Sequence, residues 1–115
     1  MTLNEYQDKA MTTCLFESEN FAYMMLNLVG EVGEIAGKVS KAIRKRQAEI
    51  ENNDIFISDP ELTESIQKEC GDVLWQLSGL CSVMGWSLED IAQQNLDKLA
   101  DRKQRGVIDS QGDNR

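Results

Sequence analysis

Two pairs of acidic residues could carry chemistry in this sequence. Glu31 and Glu34 lie in the run VGEVGEIAG, and Glu69 and Asp72 lie in the run KECGDVLWQL. The three-residue spacing places both members of each pair on one face of a helix, about one turn apart. Like charges at this spacing repel, and carboxylates among apolar residues lose hydration. The pattern therefore predicts a cation that compensates the four charges.

The donor set decides which cation is expected. The sequence has no histidine, which excludes His-ligated zinc, di-iron bundles built on Glu-x-x-His motifs and histidine-based acid–base catalysis. An all-carboxylate site suits a hard ion, Mg²⁺ with Mn²⁺ as a substitute. We therefore predict Glu31, Glu34, Glu69 and Asp72 as metal ligands and catalytic carboxylates, with Glu34 or Glu31 as general base. The alternative is a pair of solvated acidic helix faces.

Basic and amide side chains continue the same pattern. Lys38 follows Glu34 at helical spacing, while Asn95, Lys98 and Arg102 share one face of a later predicted helix. An amide with two cations can bind the oxygens of a polyphosphate. Taken alone, these residues also fit an ordinary solvated helix face.

Apolar periodicity predicts the elements that must position these residues. Helices are expected over about residues 2–15, 18–48, 60–84 and 87–105, with Tyr6 in the apolar stripe of the first. Thr2 or Asn4, Asp59 and Ser87 are predicted N-caps, and Gly106 is a predicted stop. Residues 49–59 read as a loop in which 55–57 form a short strand, a lid or an anchor. The prediction is an all-α bundle of four to five helices, a single domain over residues 1–115.

Composition limits the classes of partner. The formal net charge of −8 argues against binding to nucleic acid or an anionic membrane, but a metal ion would still allow a phosphate-bearing small molecule. No apolar run reaches the length of a membrane span, and no secretory signal is apparent. Three cysteines without a CxxC motif suggest buried thiols in a reducing cytoplasm, and a catalytic cysteine would lack a histidine to activate it.

Four sequence blocks resemble the MazG-like members of the all-α nucleoside triphosphate pyrophosphohydrolase superfamily. They are NEYQDKA, GEVGEIAGKVSK, KECGDVLWQLSGL and NLDKLADRKQRGVIDSQGDNR. The resemblance implies a helical dimer or tetramer that hydrolyses a nucleoside triphosphate, often a deoxynucleotide, to the monophosphate and pyrophosphate. It also implies that the four acids bind Mg²⁺ and that Asn95, Lys98 and Arg102 engage the nucleotide or its phosphates.

Two departures from the family pattern bear on the site. The segment between the acidic motifs is longer, with residues 47–60 as the insertion, and Gln76 stands where some relatives place a phosphate-contacting tyrosine. Gln76 is therefore a weaker candidate for substrate contact. The competing interpretations are a non-catalytic helical oligomer that binds nucleotide or protein, and hydrolysis of another phosphorylated metabolite. The apolar excess on two long helices argues against a monomer, and the resemblance implies a homodimer or homotetramer.

Overall fold

The computed structural model describes residues 1–109 and shows four α-helices, a short 3₁₀ turn and one β-hairpin. In chain order the elements are α1 (Leu3–Met11), the 3₁₀ turn (Phe16–Ser18), α2 (Phe21–Arg44), β1 (Ala48–Glu51), β2 (Asp54–Ile57), α3 (Pro60–Val83) and α4 (Leu88–Arg105). The all-α prediction is confirmed, with the hairpin as the one departure among these residues. The polar end of the chain, including the GDNR block, lies outside the described residues.

The helix boundaries follow local capping chemistry. The Thr2 hydroxyl accepts the Glu5 amide at 3.1 Å, the Asp59 carboxylate accepts the Glu61 amide at 3.0 Å, and the Ser87 hydroxyl accepts an amide of the next turn. Gly106 ends α4 in the left-handed conformation, with φ 71°. All three caps and the stop were predicted.

Two boundaries differ from the prediction. The first helix was expected to reach residue 15, but it ends at Met11, after which the hydroxyls of Thr12 and Thr13 bond back to carbonyls three residues earlier. The second was expected to span 18–48, but Asn20 caps it and it ends at Arg44. Arg46, with φ 58°, turns the chain out of the helix.

The segment expected to be a loop forms an antiparallel hairpin, so the strand was the correct alternative for residues 55–57. Ala48 pairs with Ile57 and Glu51 pairs with Asp54. Asn52 and Asn53 have φ angles of 52° and 64°, as a two-residue hairpin turn requires, and asparagine tolerates that conformation better than most residues.

Helices α2 and α3 form the centre of the molecule and run antiparallel. Asn27 meets Gln76 near one end of the pair and Lys38 meets Ser65 near the other, while α1 packs on both α3 and α4. Gly79 allows the close approach, because a Cβ there would lie 2.5 Å from the Sδ atom of buried Met24. The interface that carries the two acid pairs is thus the most extensively packed part of the chain.

Much apolar surface on these helices is exposed. The large exposed side chains include Phe21, Leu26, Val29 and Val32 of α2, Leu74 and Leu77 of α3, and Leu96 and Leu99 of α4. No helix within residues 1–109 is long and apolar enough to cross a membrane.

Candidate metal centre

The antiparallel packing of α2 and α3 brings the two acid pairs together. Carboxylate oxygens of Glu31, Glu69 and Asp72 all lie within 4.8 Å of one another. Oxygens this close repel unless a proton or a cation lies between them, and the repulsion is strongest at buried Glu69 and half-buried Glu31, while Asp72 is exposed. The expected convergence of these three carboxylates is present in the structure, because equal three-residue spacing on two facing helices directs them to one place.

Glu34 adjoins this group. A hydrogen bond with Glu69 raises the pKa of Glu34, and the negative charge of Glu31 raises it further. Glu34 is exposed, whereas Glu31 is half-buried and Glu69 is buried. All four predicted acids therefore lie at one site, with Glu34 on its solvent side.

Glu69 has two unlike oxygens. Its Oε1 atom lies 2.7 Å from the Nζ atom of Lys38, and this hydrogen bond lowers the pKa of Glu69. Its Oε2 atom is buried and has no hydrogen-bond partner among the described residues. Burying a carboxylate oxygen without a hydrogen-bond donor costs free energy, and coordination of a cation by that oxygen would offset the cost. The residues present therefore fit a divalent metal ion.

A buried amide supports the other end of the group. Gln76 is 1 % exposed, and its Oε1 atom accepts a hydrogen bond of 2.7 Å from Nδ2 of Asn27. The same Nδ2 donates to Oε1 of Glu31 at 3.5 Å, and Nε2 of Gln76 donates to the Sδ atom of Met24 at 3.0 Å. Gln76 was predicted as a substrate contact, but it is buried below the carboxylates. There it bonds Asn27, which in turn bonds Glu31, a predicted metal ligand.

Two neighbours of the site were not among the predicted residues. Asn27 lies one turn before Glu31 inside the apolar run MMLNLVG, and that isolated amide was the available signal. Tyr6 was assigned to the apolar stripe of the first helix. Partial burial raises the pKa of its hydroxyl, and the negative charge of Asp72 raises it further. Tyr6 therefore lies within electrostatic reach of the site.

The residues predicted on α4 do not all share one environment. Asn95 and Lys98 are exposed and line a shallow depression with Ile91 and Gln94. Arg102, which was predicted to share a helix face with them, is 4 % exposed. Helix α4 packs on α1 and α3, while Glu31 and Glu34 lie on α2. The structure thus brings Lys38 to the acids and places Asn95 and Lys98 on the outer surface of a different helix.

The family model described as "MazG nucleotide pyrophosphohydrolase domain" matches residues 19–107, a range that includes all nine predicted site residues and excludes α1. The chain is also 37 % identical to the Gene 37 protein of Mycobacterium phage L5, over the full length of both proteins. No solved structure matches it.

Proposed function

We propose that this chain, which belongs to the MazG nucleotide pyrophosphohydrolase family, hydrolyses a nucleoside triphosphate to the monophosphate and pyrophosphate with Mg²⁺ as cofactor. A deoxynucleotide is the favoured substrate class, and residues 1–115 would act as one domain. The observation that carries the proposal is the convergence of Glu31, Glu69 and Asp72, whose oxygens lie within 4.8 Å on two facing helices.

Each acid has a role that its surroundings suggest. Glu31, Glu69 and Asp72 would hold the ion, and the partnerless Oε2 atom of Glu69 is the most evident ligand atom. Mg²⁺, when bound, neutralises phosphate charge and makes water a better nucleophile. Glu34 is exposed and lies outside the group of three, so we assign it the general-base role: it accepts the proton of the water that attacks phosphorus.

The phosphate contacts are proposed from chemistry and family resemblance together. Lys38 is the cation that the chain places directly beside the acids. Asn95, Lys98 and Arg102 would engage the nucleotide, with the two cations stabilising the leaving pyrophosphate. Gln76 enters as a positioning residue, because its burial and its bond to Asn27 leave it little access to substrate.

Assembly and location complete the proposal. Exposed leucines, valines and aromatics on α2, α3 and α4 favour a homodimer or homotetramer, since such a surface is unusual on a monomer. Neither nucleic acid nor membrane is a proposed partner for a chain with net charge −8. Cys14, Cys70 and Cys81 are all free thiols, which suits the cytoplasm.

The experiment is a substrate panel. The full chain is incubated with each of the eight common ribo- and deoxynucleoside triphosphates, with Mg²⁺, Mn²⁺ or EDTA, and the products are separated by anion exchange. We expect monophosphate and pyrophosphate in equal amounts, from at least one substrate and only with metal. Metal binding without turnover would instead favour another phosphorylated substrate. Nucleotide binding without metal binding or turnover would favour a non-catalytic oligomer.

A further inference from the structure

The side chain of Lys38 spans the interface of α2 and α3 at the edge of the metal centre. Its Nζ atom lies 2.7 Å from Oε1 of Glu69 and donates to the Ser65 hydroxyl at 2.5 Å. The lysine side chain is 36 % exposed and that of Glu69 is 12 % exposed. Ser65 lies one turn before Glu69 on α3, and Lys38 lies one turn after Glu34 on α2. The ammonium is therefore held by both helices.

This ammonium already neutralises part of the negative charge that a metal ion would neutralise. Lys38 neutralises one charge in a group of four acids, and it does so at the carboxylate whose other oxygen is buried without a partner. A divalent cation at Oε2 would lie one carboxylate away from Nζ and would repel it. Each positive charge therefore weakens the contact of the other with Glu69.

Lysine can exchange partners at small cost. Its charge is compact, its four-carbon stem is flexible, and its donors rotate freely, unlike the planar fork of arginine. The second partner here, the Ser65 hydroxyl, is neutral and opposes departure only weakly. A polyphosphate bound at the adjacent metal would offer the released ammonium several anionic oxygens.

We propose that Lys38 is an exchangeable counterion: it neutralises Glu69 in the metal-free protein, leaves Glu69 when a divalent cation binds, and then contacts the phosphate chain. This inference rests on the proposed metal-dependent function. It makes Lys38 oppose metal binding in the absence of nucleotide and favour phosphate binding in its presence. Metal and phosphate affinities are thereby coupled through one side chain.

The first experiment measures metal affinity alone. Mn²⁺ binding to the full chain without nucleotide is followed by electron paramagnetic resonance for the wild type, Lys38→Met and Lys41→Met. Lys41 is exposed on the same helix, so its loss reports the general effect of removing one positive charge. We expect Lys38→Met to bind Mn²⁺ about three- to tenfold more tightly than Lys41→Met does. An equal or lower affinity would overturn the counterion role, and a lower one would make Lys38 a residue that positions Glu69.

The second experiment measures the exchange. Binding of inorganic pyrophosphate is measured by calorimetry with and without Mn²⁺ in the same three proteins. In the wild type the metal should strengthen pyrophosphate binding, and in Lys38→Met that enhancement should shrink about tenfold. An enhancement as large as in Lys41→Met would contradict the transfer of Lys38 to phosphate.

Ser65→Ala provides a milder variant should Lys38→Met fold poorly. It removes the hydroxyl that holds the ammonium beside Glu69 and leaves every charge in place. We expect a smaller rise in Mn²⁺ affinity, in the same direction, and an unchanged or lower affinity would count against the proposal. If the wild type binds no Mn²⁺, the metal centre itself is wrong. If it binds Mn²⁺ and both lysine variants behave alike, only the counterion role is wrong.

Discussion

The α2–α3 interface and the outer surface of α4 both carry predicted site residues, but they are constructed differently. At the interface, polar side chains from two helices bond one another: Asn27 to Gln76, and Lys38 to both Ser65 and Glu69. On α4, Asn95 and Lys98 lie exposed beside a shallow depression. Ligands held between two packed helices lose little entropy when a metal binds, whereas exposed side chains on one helix are accessible to a substrate. The interface should therefore control metal binding, and α4 should control substrate binding.

The largest effect is expected when negative charge is removed from the α2–α3 interface. Glu69→Gln and Asp72→Asn should each lower pyrophosphate release by about 100-fold or more, because the ion loses a ligand and the site loses charge. Mn²⁺ affinity should fall in parallel. The matched control is Glu64→Gln, which removes the same charge from an exposed position on α3. Full metal-dependent activity in either variant would show that the group of acids is not the metal centre.

The next largest effect is expected from the two hydrogen-bonded amides, buried Gln76 and half-buried Asn27. Gln76→Ala and Asn27→Ala should each reduce Mn²⁺ affinity or activity about 10- to 100-fold, as is usual when the partner of a metal ligand is lost. Gln76→Ala should also destabilise the fold by about 1–3 kcal/mol, because it leaves buried groups without a partner. The exposed Gln67→Ala is the control.

A double variant that combines Gln76→Ala with Asn27→Ala shows whether the two amides support metal binding as one linked pair or separately. If Gln76 acts through Asn27, the double variant should be no worse in Mn²⁺ affinity than the weaker-binding single variant, because the two side chains form one unit. Additive losses would mean that Gln76 contributes by another route, such as the direct substrate contact that the sequence suggested.

These residues show what the sequence could and could not predict. The acids were found because helical spacing alone determines that Glu31 and Glu34, and likewise Glu69 and Asp72, share a helix face. The two pairs then come together if α2 and α3 pack against each other. The depth of Gln76 and the burial of Arg102 could not be predicted, because burial depends on which neighbours pack at each position and not on the pattern within one helix. The hairpin was missed because eleven residues with mixed polarity fit a strand pair or a loop equally well.

A smaller effect is expected from α4. Lys98→Ala should raise KM for the nucleotide about tenfold while Mn²⁺ affinity stays at the wild-type value, since Lys98 lies outside the group of acids. Lys103→Ala removes the same charge from an exposed position on the same helix and should change neither quantity. A loss of Mn²⁺ affinity in Lys98→Ala would contradict the assignment of metal binding to the α2–α3 interface and of substrate binding to α4. A normal KM would remove Lys98 from the proposed phosphate contacts.

The smallest effect concerns the repulsion that remains at the interface without metal. The hydrogen bond with Glu69 and the charge of Glu31 raise the pKa of Glu34 above the usual 4.5 of the unfolded chain. A group whose pKa is raised by folding contributes stability below its unfolded pKa and loses that contribution as pH rises through its folded pKa.

In EDTA, Glu34→Gln should therefore melt a few degrees above the wild type at pH 7, because it removes a charge and can still donate to Glu69. The difference should shrink as pH falls towards 4.5 and should also shrink at pH 7 when Mg²⁺ is added, since the ion relieves the same repulsion. A difference that does not change with pH or Mg²⁺ would mean that Glu34 does not share the charge of the interface, and the site would reduce to the three acids that lie within 4.8 Å.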